Sequence, residues 1–322
     1  RIQLTIGSEM KNQSCHVLAV DIGTSSVRVM AYDAAGSVIA RAQTSYTTVR
    51  PAPYQEEQDP DWVRQEVFAT IRECLRDPQV NAGEIRGIGF SSQMYGVIAL
   101  DENDQPLTRN ILWSDGRAEA QADTIAARLG KNVLYPITGC PMNSIFPIAK
   151  IAWLREENYR VFKQTRRFVS IKEYVTQPLI GEWAVDYSMA SATGLFDIRA
   201  KRWSDQALEV AGIGADKLST PVSGTHAYRM RKDSPLSNCG LAADVQVFLG
   251  GGDGPLANLG SGAARPGTVN IDLGTSGAAR CLTDRAMTDH DGSLWCFCLT
   301  EQRWAVGGIV TNAGNAYQWL AA

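Results

Sequence analysis

One motif occurs twice in this chain and constrains the fold more than any other feature. "VLAVDIGTSSVRVMAYD" runs from Val17 to Asp33, and "VNIDLGTSGAARC" runs from Val269 to Cys281. Each copy ends an apolar strand on a carboxylate (Asp21, Asp272), turns through Gly-Thr-Ser, and resumes a strand. Glycine permits the tight turn, and the turn gathers backbone N–H groups and hydroxyls into one concavity that suits an anion. A carboxylate beside that concavity repels phosphate but can hold Mg²⁺ or its waters, which bridge to phosphate. A single copy is an ordinary hairpin. Two copies, each at a candidate domain start, read as the two halves of a phosphate clamp.

The surrounding pattern predicts an α/β chain. "VLAVD", "VRVMAYD" and "SVIARAQT" form a meander joined by "GTSS" and "AAG". Asp59 and Pro60 then start a helix whose apolar stripe is Trp62, Val67, Ile71 and Leu75. "IRGIGFSSQMYGVIAL" alternates like strands, and "RAEAQADTIAARLGK" is a helix that Gly130 could cap. Residues 145–182 are mostly helical, with Ser170 as an N-cap and Gly181 as a stop. "VQVFLGGGDGPLANLGSGA" reads as a strand, a triple-glycine bend and a helix from near Asp253. After the second hairpin, "GSLWCFCL" and "RWAVGGIV" alternate as strands, and the chain ends inside an apparent helix, "NAGNAYQWLAA". The second unit therefore reads as truncated.

A length of 322 residues fits about two domains. The net charge of −3 offers no basic stripe, which argues against a nucleic-acid partner. No apolar run reaches the ~18–20 residues that span a bilayer, and the N-terminus lacks the apolar stretch of a secretory signal. Met10 could be the native start. Seven scattered Cys without C-x-x-C, and only three His, argue for a reduced, cytoplasmic protein without a zinc site. Cys296 and Cys298 share one face of a strand. No G-x-x-x-x-G-K-[ST] and no strand-borne G-x-G-x-x-G is present, so phosphate binding here is neither P-loop nor Rossmann.

At this point a resemblance becomes specific. "DIGTSSVRV", "EQDPDWV", "GIGFSSQM", "ILWSDGRA", "PIAKIAWLREE", "DYSMASATGLFD", "GGGDGPLANLG" and "DLGTSGAAR" together resemble the FGGY carbohydrate kinases over residues 16 to 322. That resemblance implies a duplicated actin-like (ribonuclease H-like) ATPase fold. Residues 10–250 would form a first domain carrying most of the sugar site. Residues 251–322 would begin a second, nucleotide-binding domain whose adenosine-binding part is absent, so this chain alone would be inactive. "SIKEY", "DYSMASATGLFD", the Asp-Gly of "GGGDG" and "RWAVGGIVTNAGN" resemble the gluconokinase branch, while "ILWSDGRA" leans toward xylulokinases. Met94-Tyr95 replaces the Arg-Glu pair of glycerol kinases, and Tyr95 stands where many of these kinases carry His.

The resemblance implies roles. Asp253 would be the general base, although Asp there would also make a simple helix cap. Asp21 would hold Mg²⁺ through water, with Gly23, Thr24 and Ser25 on the phosphates of ATP and Gly274, Thr275 and Ser276 opposite. Gln93, Met94 and Tyr95 would face the sugar, with Trp113 as an aromatic wall. Arg117 and Lys172 are the cations that an acid sugar would need, and Asp186 with Ser191 would shape the floor. Lys150, Trp153 and Met189 read as packing. The expected partner is a small sugar or sugar acid, most simply gluconate, and a homodimer is allowed. A non-catalytic sugar-binding or regulatory protein on the same fold is the rival, and the presence of both Asp21 and Asp253 speaks against it.

Overall fold

The computed structural model describes residues 16–129, 133–273, 277–310, 313, 319 and 320. Its first sheet holds six strands: β1 (His16–Ile22), β2 (Ser26–Tyr32), β3 (Val38–Ser45), β4 (Ile85–Ser92), β5 (Ala227–Arg229) and β6 (Gln246–Gly252), in the spatial order β5-β6-β4-β1-β2-β3. The expected meander is β1-β2-β3, antiparallel throughout. Strands β1 and β6 both run parallel to β4, which lies between them. Register then fixes the site: Asp21 pairs with Ser91, Ile22 and Gly252 both pair with Ser92, and Gly251 pairs with Ser91. The carboxyl ends of three neighbouring parallel strands thus finish at one level, where open α/β sheets form their crevices.

Helix α1 (Pro60–Leu75) covers β2 and β3. Asp59 caps it, accepting from the backbone N–H of Asp61 at 3.0 Å and of Trp62 at 3.1 Å. Its buried stripe is Val63, Val67, Ile71 and Leu75, while Trp62 is only half-buried and meets Tyr46 edge-on. Fully burying Val63, Val67 and Ile71 stabilises the layer by about 1.5–3 kcal/mol per side chain. Helix α2 (Glu119–Leu129) and helix α3 (Pro147–Glu157) pack together in a second layer; the predicted cap Gly130 lies outside the described residues. Helix α4 (Ile171–Ile180) opens with a reciprocal capping box between Ser170 and Glu173 and closes on Gly181 in the left-handed region, φ +80°. The short helix α5 (Tyr187–Ser191) starts on Asp186, which caps the N–H groups of Ser188 and Met189.

The glycines 250–252 form the end of β6 rather than a bend, and α6 (Asp253–Gly260) follows directly. Gly252 occupies the cap position and Asp253 is the first helical residue, so the simple-cap reading of Asp253 does not hold. A second, antiparallel sheet follows: β7 (Val269–Leu273), β8 (Gly277–Thr283), β9 (Trp295–Thr300) and β10 (Arg303–Val310), ordered β7-β8-β10-β9. Strand β9 packs on α5, and Cys296, Phe297 and Cys298 are fully buried there. Val269, Ile271, Leu273, Ile309 and Val310 leave much of their apolar surface exposed on β7 and β10. Most of the closing segment lies outside the described residues. Among the described residues no helix is long and apolar enough to cross a membrane.

Candidate active site

A cleft of about 390 Å³ opens between the strand ends of the first sheet and the β8–β10 face of the second. It is lined by Gln93, Met94, Tyr95, Trp113 and Asp253 from the sequence-derived set, with Asp272, Arg280 and Trp295 added. Asp253 projects into it from the first turn of α6. Solvent reaches this carboxylate through the cleft mouth, while protein crowds it on the other sides. That crowding raises its pKa to about 6, helped by the charge of Asp21; the Gly254 N–H, at 2.7 Å, and the cations Arg280 and Lys172 pull the other way.

Asp21, the last residue but one of β1, is near enough for its charge to act on Asp253. One oxygen accepts from Ser91 Oγ at 3.0 Å, and the other faces the half-exposed Arg28 at 3.3 Å. The turn after it closes through Gly23 N–H to the Ser26 carbonyl, 3.0 Å. Trp113 Nε1 donates to Thr24 Oγ1 at 3.2 Å, so the aromatic wall is tied to the first hairpin. Ser25 is exposed at the tip. Gly274, Thr275 and Ser276, the tip of the second hairpin, lie outside the described residues.

Gln93 is 2% exposed and stands just past β4. Its Nε2 donates to Gln58 Oε1 and the Gly23 carbonyl, whereas its buried Oε1 has no partner among the described residues. An unmet buried acceptor at a cleft wall suits a ligand hydroxyl. Met94 packs where Gly252 has no side chain: a Cβ there would lie 2.5 Å from Met94 Sδ. Tyr95 adopts φ +67°, a strained choice for a bulky residue. Lys150 holds it there. This fully buried ammonium donates to the carbonyls of Tyr95 at 2.9 Å, Leu112 at 2.6 Å and Ile145 at 3.1 Å, pinning three wall segments from α3. Desolvation lowers its pKa to about 7, against the pull of Asp115.

Two predicted sugar cations do not line the cleft. Arg117 forks onto Asp115 through Nε at 2.8 Å and Nη2 at 2.7 Å, and reaches Glu57 at 2.7 Å; it ties the "WSDGR" loop to the segment before α1. Lys172 is 1% exposed, 2.5 Å from Asp186 Oδ2, and donates to the Gly251 carbonyl at 2.9 Å. Lys172 and Asp186 therefore brace the strand that delivers Asp253 from beneath. Ser191 Oγ accepts from Cys298 N–H at 3.0 Å, joining α5 to the second sheet. The glycines ahead of Asp253 make room for protein: a Cβ on Gly250 would sit 2.0 Å from the Phe90 carbonyl oxygen.

Sequence reasoning missed Arg280 and the role of Lys150. Arg280 sits four residues beyond the second hairpin's turn, on the strand face shared with Ala278, and period-2 alternation from that motif was the available signal. Lys150 was legible only as a lysine on an otherwise apolar helix face.

Residues 16–260 match the FGGY family of carbohydrate kinases, N-terminal domain. A gluconokinase of Bacillus subtilis (strain 168) is 35% identical over 305 residues, which are 95% of this chain and 59% of that protein. The crystal structure of gluconate kinase from Lactobacillus acidophilus superposes with a TM-score of 0.90 at 27% identity, covering 95% of this chain and 62% of that one. The ligand-bound xylulose kinase from Lactobacillus acidophilus gives 0.90 at 28% identity over 94% of this chain and 61% of its own. The chain thus spans about three fifths of the length of these relatives. With the family match covering most of its residues and the mixed α/β fold shared throughout, the chain belongs to the FGGY family of carbohydrate kinases.

Proposed function

We propose that the full-length protein is an ATP-dependent kinase that phosphorylates a hydroxyl of a small sugar acid, gluconate before any other. The observation that carries this reading is Asp253: a solvent-reachable carboxylate, raised to about 6, at the floor of a polyol-sized cleft and within reach of the Asp21 charge. A base of that pKa is mostly ionised at neutral pH yet basic enough to share a proton with an alcohol in the transition state. The acceptor hydroxyl gives its proton to Asp253. Its oxygen forms the new P–O bond to the γ-phosphorus as the bond to the β-phosphate oxygen breaks, and ADP leaves.

The donor set around Asp21 fits Mg²⁺ held through water. It offers one part-exposed carboxylate, with a hydroxyl (Ser91) on one oxygen and the half-exposed Arg28 beside the other, hard oxygen of the kind that Mg²⁺ takes with most of its waters kept. When bound, that ion would neutralise phosphate charge. Gly23, Thr24 and Ser25 would cradle one side of the phosphates, with Gly274, Thr275 and Ser276 as the other side. Gln93 Oε1 would read a sugar hydroxyl, while Tyr95 and Trp113 would bound the sugar and hold water out. Residues 10–250 would form the first actin-like domain, with the second beginning at 251, and the protein would act in the cytoplasm.

Gluconate is favoured by the gluconokinase relative; the xylulose kinase likeness makes a ketopentose the second reading. The test is ADP release by the full-length gene product with MgATP, offering D-gluconate, D-xylulose and glycerol in parallel. Gluconate-dependent release that falls by about 10²–10⁴-fold in Asp253→Asn is the expected result. Xylulose-dependent release alone would move the substrate, and no release with any acceptor would favour the non-catalytic binder.

A further inference from the structure

The cleft presents one cation among the described residues, and it is not one the sequence pattern singled out. Arg280 rises from β8 and is 7% exposed. Its position is over-determined. A Cβ on Gly307, directly across in β10, would come 2.7 Å from Arg280 Cγ and 3.0 Å from Trp295 Cζ2, so the bare glycine leaves the room that the arginine stem and the indole edge both use. Asn258 on α6 accepts from Arg280 Nε at 3.3 Å and returns a bond from its own Nδ2 to the Arg280 carbonyl at 3.0 Å. Asp272 on the neighbouring strand pairs with Nη2. The remaining edge faces the base: a Cβ on Gly254 would lie 3.6 Å from Nη1, and Nη1 has no acceptor among the described residues.

The other charges lining this cleft are acidic, Asp253 and Asp272, with Asp21 close by. A neutral polyol needs no cation there. An aldonate entering beside Asp253 meets like charge unless a guanidinium answers it. We propose that Arg280 is the specificity-determining residue of the acceptor site, binding the carboxylate of an acid sugar through its Nη1 edge. The inference rests on the kinase reading above and deepens it. It also replaces Arg117 and Lys172, which do not line the cleft and are paired with Asp115, Glu57 and Asp186.

The experiment is calorimetric titration of the full-length protein with D-gluconate and with D-glucitol, which has the same carbon chain with the acid reduced to a neutral alcohol. The variants are Arg280→Gln and Arg280→Lys, with MgADP affinity and kcat/KM against pH as companion readouts. Wild type binds gluconate more tightly than glucitol. Arg280→Gln loses on the order of 100-fold in gluconate affinity, its glucitol and MgADP affinities hold, and the loss of turnover sits in KM. Arg280→Lys, which keeps charge but not the fork, falls between.

Gluconate affinity unchanged in Arg280→Gln overturns the proposal. Equal weakening of both acceptors, or of MgADP, assigns Arg280 to structure or phosphate instead. An upward-shifted acid limb with both acceptor affinities intact makes it a tuner of Asp253. Should Arg280→Gln fail to fold, Arg280→Lys decides on the same gluconate-against-glucitol comparison. A wild type that binds xylulose but no aldonate removes the substrate reading itself, a result distinct from any variant outcome.

Discussion

Replacing Lys150 with Met tests how the cleft wall is held. The change keeps an apolar stem of similar length and removes an ammonium that donates to the Tyr95, Leu112 and Ile145 carbonyls. The Leu112 carbonyl keeps the Asp115 N–H at 3.2 Å, whereas the Tyr95 and Ile145 carbonyls are left without a donor at about 1–3 kcal/mol each, a gross loss of about 2–6 kcal/mol. Relief from keeping an amine dry offsets part of this, which leaves a net destabilisation of about 1–4 kcal/mol at pH 7. The deficit also depends on pH. Burial holds the folded pKa at about 7, below the 10.5 of the free side chain. Between those values the unfolded chain binds more protons at this site, so its contribution to stability is fullest above pH 10.5 and is lost as pH falls through 7. Methionine has no such proton. The gap between Lys150→Met and wild type should therefore widen by about 2 kcal/mol from pH 7 to pH 9. Urea unfolding of the full-length protein, followed by tryptophan fluorescence at the two pH values, measures this. A deficit under about 0.5 kcal/mol, or one that does not change with pH, would refute both the buried-ammonium argument and the claim that it pins Tyr95.

Two further outcomes follow from the same strand ends. Gly250→Ala puts a Cβ 2.0 Å from the Phe90 carbonyl oxygen at a residue with φ +63°, so a loss above about 3 kcal/mol is expected in thermal unfolding; a change within about 1 kcal/mol would show that β6 can move away from β4. Asp253 has a folded pKa of about 6, above its ordinary 3.8, so its site contributes most to stability below pH 3.8 and loses that contribution as pH rises through 6. Asp253→Asn should accordingly raise the melting midpoint at pH 8 while removing activity, and wild-type kcat/KM should fall with unit slope below about pH 6; a variant no more stable than wild type at pH 8 would contradict the crowded-carboxylate picture.

What the sequence made legible was local, and what it hid was the pairing of distant segments. The first hairpin, the Asp59 cap, the Ser170 box and the strand before Asp253 all follow from residues within a few positions of each other, where periodicity and capping chemistry act directly. Side-chain roles do not follow that way. Lys172 looked like a free cation because its partner Asp186 is supplied by another element at 2.5 Å, and Arg117 because the fork onto the nearby Asp115 is completed by Glu57, which only the folded topology brings within 2.7 Å. Lys150 looked like packing because its acceptors are backbone carbonyls, which carry no sequence signature at all. Arg280 was written in the motif itself, yet a strand residue faces a ligand or a neighbour according to what stands opposite, and the vacancy at Gly307 that lets it lie in the cleft comes from a strand two turns of chain later. The doubled Gly-Thr-Ser turn therefore located the cleft, whereas the charge that selects among acceptors had to be found by asking which cation the fold leaves with an edge turned toward Asp253.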